Sequence, residues 1–281
     1  MKKNFYYMSL LLGLVFGMTM FTACGDDDDS GDGDETGFIP GKFIGPKRVF
    51  GDNLMTSLVS DNRRYEFTYN SENLVTKLKL ETLSGGDVAS TREYEVTYAD
   101  KQVTINRTRS SNDRVRQYVF TIGNNGFAES CTEGYLDSSI RDVINYEYDA
   151  DGHLTKITYN EENETPWSSG FTWKDGNIVE EIGEDNKVHL NYTYSSAPNV
   201  VGLFITADIG GLDDIYLPEF YYMGLLGKGT ANLVESYNVV GESETGNNVW
   251  ILDDAGRPIK CVTTITSSYG SYTNTYTWSY K

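Results

Sequence analysis

From Tyr65 onward, apolar and polar residues alternate with a period of two. Tyr65, Phe67 and Tyr69 are separated by Glu66 and Thr68, and Tyr94, Val96 and Tyr98 by Glu95 and Thr97. The pattern returns at Tyr118, Phe120 and Ile122, at Ile144, Tyr146 and Tyr148, at Leu190, Tyr192 and Tyr194, and at Tyr276, Trp278 and Tyr280. Such a period predicts strands with one aromatic and one polar face. Between the strands lie turn signals at 71–73, 99–101, 124–126, 149–152, 175–176 and 253–256, rich in the Asn, Asp and Gly that accept positive φ in tight hairpins. The anchors Asn73, Asp100, Gly126, Gly152 and Gly176 are spaced by 27, 26, 26 and 24 residues, so one hairpin unit repeats.

The clearest copy, residues 146–159 (YEYDADGHLTKITY), resembles the YD repeat of Rhs-type proteins: a tyrosine strand, an Asp and Gly turn, and a Leu-bearing return strand. The resemblance covers roughly half the chain and implies a curled sheet, without importing those proteins' function. Between 195 and 232 the alternation breaks at Pro198, Gly202, Gly210, Gly211 and Pro218, yet Phe220, Tyr221, Met223, Leu225 and Leu226 are too apolar for an exposed loop. A short helix over 218–226 is expected, with Pro218 in its first turn and Gly227 as its stop. The run 224–233 (GLLGKGTANL) resembles a segment of a Bacteroidetes lipoprotein family of unknown function described as having a porin-like fold. That family has no chemistry to carry over. The expected fold is all-β: an antiparallel meander of about 14 to 16 strands, curled into a barrel-like or porin-like sheet, with one short helical or irregular insertion near 212–230.

The N-terminal residues read differently. Lys2 and Lys3 precede an apolar run over 8–21, too short to span as a stable helix. The run ends in Phe21, Thr22, Ala23 and Cys24, which resembles the lipobox of bacterial lipoproteins, with Phe21 in place of the usual Leu. The resemblance implies a signal peptide over 1–23 and acylation of Cys24, an anchor that needs no transmembrane span. The tract behind it, with Asp26, Asp27, Asp28, Asp29, Asp32, Asp34 and Glu35 among glycines, is a solvated tether over 24–40. It resembles the acidic export signal that sends such lipoproteins to the outer face of the outer membrane. Residues 41–281 then form a single all-β domain.

Composition narrows the partners. The chain carries 23 Lys and Arg against 41 Asp and Glu, a net charge of −18 that becomes −20 once Lys2 and Lys3 leave with the signal peptide. Such a surface repels phosphate backbones and makes nucleic acid a poor partner. Aromatic residues reach 13%, far more than a disordered chain carries.

Candidate chemistry is sparse. The 224–230 segment lacks the adjacent Gly, Lys and Ser or Thr of a phosphate loop, because Gly229 follows Lys228. The turn at Asp149, Asp151 and Gly152 has the start of a calcium loop but no closing glutamate. His153 and His189 have no partner at metal spacing, so no metal or other cofactor is expected. Cys131, Cys261 and Ile157 each stand five residues after a turn glycine, which makes the cysteines buried apolar fillers rather than a disulfide. Glu161, Glu162, Glu164, Glu180, Glu181, Glu184 and Asp185 are abundant, but no catalytic pair stands out. Trp167, Trp173, Trp250 and Trp278 are the candidates for stacking on a ligand, and Phe220, Met223 and Leu226 for a cap or a partner surface. The expected function is non-enzymatic: a surface lipoprotein that binds a glycan, peptide or apolar ligand, or serves a structural role. A transmembrane porin-like barrel is the first alternative. Its support is an aromatic C-terminal strand that resembles the assembly signal of outer-membrane barrels, apart from the trailing Lys281. A glycan-active hydrolase is the second.

Overall fold

The computed structural model describes residues 45–162, 164–203 and 217–281. The signal peptide, Cys24 and the tether lie outside the described residues, as does the first part of the 212–230 insertion. A single helical turn, α1 (Lys47–Phe50), leads into β1 (Met55–Val59), β2 (Arg63–Tyr69), β3 (Val75–Ser84), β4 (Asp87–Ala99), β5 (Gln102–Arg109) and β6 (Asn112–Ile122). Then come β7 (Ala128–Tyr135), β8 (Asp142–Tyr148), β9 (Leu154–Asn160), β10 (Trp167–Lys174), β11 (Asn177–Ile182) and β12 (Val188–Pro198). The short helix α2 (Leu217–Tyr222) precedes β13 (Asn232–Val239), β14 (Thr245–Leu252), β15 (Pro258–Ser267) and β16 (Gly270–Tyr280). Each strand pairs antiparallel with its neighbours in sequence, and β1 pairs with β16, so the sixteen strands close into a barrel.

The aromatic face of the alternation turns inward. Tyr65, Phe67, Tyr94, Tyr118, Phe120, Tyr146 and Tyr192 are buried, while Glu66, Glu95, Thr121 and Glu147 between them are exposed. The 26-residue spacing follows from the topology: one down-and-up pair of strands occupies one period, so the anchoring turns all fall at the same end of the barrel. Four turns there, at 70–74, 123–127, 149–153 and 253–257, share one hydrogen-bond pattern. The first residue's N–H donates to the carbonyl of the fifth, and the fourth residue's N–H to the carbonyl of the first. The fourth residue has positive φ in each: Asn73, Gly126, Gly152 and Gly256. This is the loop with a left-handed residue that twists a hairpin the right way.

The tyrosines close the same end. Seven of the eight even-numbered strands finish with a Tyr or Trp that donates to a carbonyl near the start of the preceding strand. Tyr69 reaches Met55, Tyr98 Val75, Tyr148 Ala128 and Tyr194 Ile178, while Trp173 reaches Leu154, Trp250 Val234 and Tyr280 Pro258, all at 2.5–2.7 Å. Tyr69, Tyr148, Trp173 and Tyr194 sit at bulges where the ladder slips, which leaves a carbonyl in need of a donor. On β6 the position is Ile122, which has no hydroxyl to give.

Sixteen strands enclose more space than their own side chains fill. The connection between β12 and β13 supplies the filling at the turn-locked end. Phe220 lies edge-on to Tyr118 and Phe120, with ring centroids 5.0 and 4.8 Å away, and Tyr222 lies edge-on to Phe67. Phe220, Met223, Leu225 and Leu226 are fully buried. The helix stops earlier than its sequence suggests, at Tyr222 rather than 226. Gly224, not Gly227, takes the left-handed position after it, and its N–H donates to the Tyr221 carbonyl at 2.8 Å. Any side chain at Gly224 would collide with the Gly45 backbone, and one at Gly227 with the Gly152 carbonyl. The glycines of GLLGKG therefore let the plug lie directly on the backbone of the barrel end.

Cys131 and Cys261 are free thiols, fully buried and facing inward, as their shared register with Ile157 predicts.

Candidate functional site

Opposite the plug, the inner wall changes character. Continuing the inward register of Phe67, Tyr94, Ile105 and Tyr118 away from the plug brings in Arg63 on β2, Arg92 on β4, Arg107 and Arg109 on β5, and Arg116 and Arg114 on β6. Arg92 stands directly opposite Arg109, and Arg107 opposite Arg116. All six arginines thus share one wall. Most are only half-buried, and the Arg116 side chain keeps 21% of its exposure, so water enters this end of the barrel.

Carboxylates sit among them. Glu133 on β7 accepts from Arg116 Nη2 and from the Tyr159 hydroxyl, both at 2.6 Å on Oε1, and its Oε2 is buried with no hydrogen-bond partner. Burial raises its pKa, and the Arg116 charge opposes that rise. Asp142, its register partner on β8, lies 3.9 Å from Arg116. Glu219 on α2 accepts from the Tyr94 hydroxyl at 3.3 Å; burial raises its pKa, with Arg92 and Arg63 pulling the other way. Across the barrel, Glu181 on β11 accepts from the Tyr192 hydroxyl at 3.1 Å, and burial pushes its pKa up to about 7. Glu181 stands five residues after Gly176, where other repeats place Leu78, Cys131, Ile157 and Cys261. The remaining wall mixes polar and apolar side chains: Thr263 donates to Asn248 at 2.7 Å and Asn274 stands opposite Thr263, with Tyr237 and Ile265 buried beside them.

The four tryptophans are dispersed. Trp173 and Trp250 spend their indole N–H groups on the strand-end bonds already described, and Trp173 stacks on His153 at 4.2 Å. Trp278 is buried against Trp250 and Tyr276, with ring centroids at 5.6 and 6.2 Å. Trp167, stacked on Tyr159 at 5.3 Å, stands at the arginine-bearing end and is half-buried. Asp149, Asp151 and His153 gather their ligand atoms within 4.8 Å. Both Asp149 oxygens are already engaged, by the Asp151 and His153 N–H groups and by His153 Nδ1. The turn at 253–257 repeats the arrangement with Arg257 in place of His153, so the cluster follows the turn.

Glu133 and Asp142 are carboxylates in register on adjacent strands. They lie on one wall rather than across a cleft, and Glu133 is held by two donors, which is not the layout of a glycosidase pair. The aromatic members of the alternation do not mark the arginines, which lie beyond them on the same strands. Their signal is plain in Arg107 and Arg109, which continue the period of Val103 and Ile105, and in Arg114 and Arg116, which precede Tyr118 and Phe120 in the same phase.

Comparison with known proteins agrees with this architecture. No protein of curated description matches the chain. A solved structure of a porin-like protein from Bacteroides uniformis superposes with a TM-score of 0.65 at 16% identity, covering 83% of this chain and 99% of that one, which is a likeness of fold. The model of a domain family of unknown function with a porin-like fold, DUF4595, matches residues 67–260, from the second strand of the barrel into the fifteenth. On that match the chain belongs to the DUF4595 family of porin-like domains.

Proposed function

We propose that this protein is a lipid-anchored binding protein of the cell surface, acylated at Cys24 and carried on its acidic tether, which receives a ligand in the end of the barrel opposite the plug. The observation that carries the reading is the contrast between the two ends. At one, Ile122, Phe127, Leu154 and Ile178 are sealed under the plug; at the other, inward-facing Arg92, Arg109, Trp167, Asn248 and Asn274 are reached by water. A vessel closed at one end and polar at the other suits binding better than passage.

The outer wall supports a barrel that stands in water. Mid-strand positions carry the ion pairs Arg64–Glu81, Lys77–Glu93, Lys79–Glu81 and Lys156–Glu147. A Lys or Arg facing lipid at mid-membrane costs about 2–4 kcal/mol, and several such residues argue against the transmembrane alternative. The test is twofold. The protein should raise no conductance in planar bilayers, and protease added to intact cells should digest it, whereas Cys24→Ala should yield unprocessed or released protein. Stepwise conductance would restore the transmembrane barrel, and full protection of the acylated protein would place it in the periplasm.

A further inference from the structure

We infer that the open end of the barrel binds an acidic saccharide of the uronic-acid class, its carboxylate on the arginine wall and its hydroxyls on the wall opposite. The inference rests on the binding role proposed above and names the ligand chemistry. Its first support is the placement of charge. A chain with a net charge of −18 gathers six arginines on one inner wall, where chance would favour acids. Acids nearby meet part of that charge. Arg116 is matched by Glu133, Arg114 by Asp137, and Arg92 and Arg63 act on Glu219, but the Arg109 side chain makes no ion pair or hydrogen bond among the described residues, and it stands directly against Arg92. The Arg109 guanidinium, in a wall already rich in positive charge, is left to meet an anion from outside. A carboxylate is the planar oxyanion that such forks hold with two parallel bonds.

The second support separates a sugar from other anions. An acyl chain needs an apolar channel, and the apolar half of this barrel is packed by Phe220, Met223, Leu225 and Leu226. A polyphosphate or long polyanion would meet the repulsion of the whole acidic exterior, whereas a small ligand inside the mouth meets mainly the local arginines, since screening reaches about 8 Å at physiological salt. Across from the arginines β16 offers the half-buried Asn274, an amide that both gives and takes hydrogen bonds, beside Asn248, whose own amide is held by Thr263 and the Val234 carbonyl. Trp167 stands at the same end, half-exposed on top of Tyr159, as a face for a sugar ring. Ser169, two residues further along β10, has its hydroxyl buried with no partner.

Calorimetric titration of the full-length mature protein with digalacturonate, and with neutral galactobiose of the same size, tests the inference. Digalacturonate should bind at least about tenfold more tightly, the worth of one charge-assisted bidentate contact. Arg109→Gln should remove about tenfold from digalacturonate binding and leave galactobiose within twofold; Arg109→Lys should recover part of the loss. Lys156→Gln, an equal loss of charge on the outer wall, should change neither, and thermal melts should show every variant folded. Equal affinity for both sugars, lost together in Trp167→Ala, would overturn the acidic preference while keeping the mouth as a binding site. Tight digalacturonate binding untouched by Arg109→Gln and Arg92→Gln would move the site off this wall and overturn the placement of the ligand in the mouth. Absence of digalacturonate binding by the folded protein would overturn the inference itself.

Discussion

Replacing Tyr98, Tyr148 and Tyr280 by Phe removes one hydroxyl from each of three strand-end bonds and leaves every ring in place. The lost contacts are short, 2.7 Å to Val75, 2.7 Å to Ala128 and 2.6 Å to Pro258. A hydrogen bond of this kind contributes about 0.5–1.5 kcal/mol net, rising toward about 1–3 kcal/mol where the deserted carbonyl stays buried without water. Tyr148 should lie at the upper end, because its hydroxyl also approaches the Leu225 carbonyl of the plug at 3.4 Å. The three strands stand at least four places apart around the wall, about 19 Å at about 4.8 Å per strand, so the losses should add to within about 0.5 kcal/mol. The triple variant should therefore lose about 3–5 kcal/mol, a large part of the stability of a typical domain. Urea unfolding followed by circular dichroism, with an unchanged slope, measures it, and Tyr272→Phe at an exposed position serves as control. A triple variant within about 0.5 kcal/mol of the parent would show that the carbonyls are satisfied otherwise, and would refute the claim that these bonds hold the barrel end.

The plug answers to a separate test: Phe220→Ala and Leu226→Ala should each cost about 2–5 kcal/mol, as large-to-small changes at sealed positions do, and an unchanged melt of the double variant would remove the plug from the account of stability. Glu181 gives a pH signature. Its native pKa of about 7 lies above its ordinary value of 4.5, so the folded state holds the proton more tightly, and stability should fall as pH rises from 4.5 through 7, by about 3 kcal/mol in all. Glu181→Gln should flatten that decline in pH-dependent urea titrations, and an unaltered decline would assign it to other groups. Cys131 and Cys261 should both alkylate only after unfolding and without reductant; a linked peptide containing the two would contradict their placement as separate buried thiols.

Much of the fold could be read from spacing alone, because the barrel is made of one hairpin written about eight times. Tyrosine at every second position gave the inner face, and Asn73, Gly126, Gly152 and Gly256 gave the turns, since only a few residue types accept positive φ. The helix boundary was harder. Gly224 and Gly227 both have positive φ, and which one ends the helix depends on the approach of Gly45, a contact 179 residues away in sequence. The hydroxyl bonds of the tyrosines were hidden for the same reason, because a bulge shows only once two strands are aligned. In the sequence Glu181 is one of many carboxylates and nothing singles out Glu133 or Glu219; only closure of the sheet buries the three. Arg92 and Arg109 become a pair only through the register of β4 with β5.

The seam between β1 and β16 has a consequence for how the molecule can be rewired. Met55 pairs with Tyr280 as neighbouring strands do elsewhere in the barrel, and Lys281 donates to the Leu54 carbonyl. The barrel therefore has no true first strand. Joining the two ends by a short linker and opening the chain at the turn around Gly241, where nothing lies within 4 Å of an added side chain, would give a circular permutant with every strand neighbour retained. Opening it between β12 and β13 instead would cut the plug from one of its supports. Order along the chain is thus dispensable in this architecture, and the one connection that is more than a link is the one that fills the barrel.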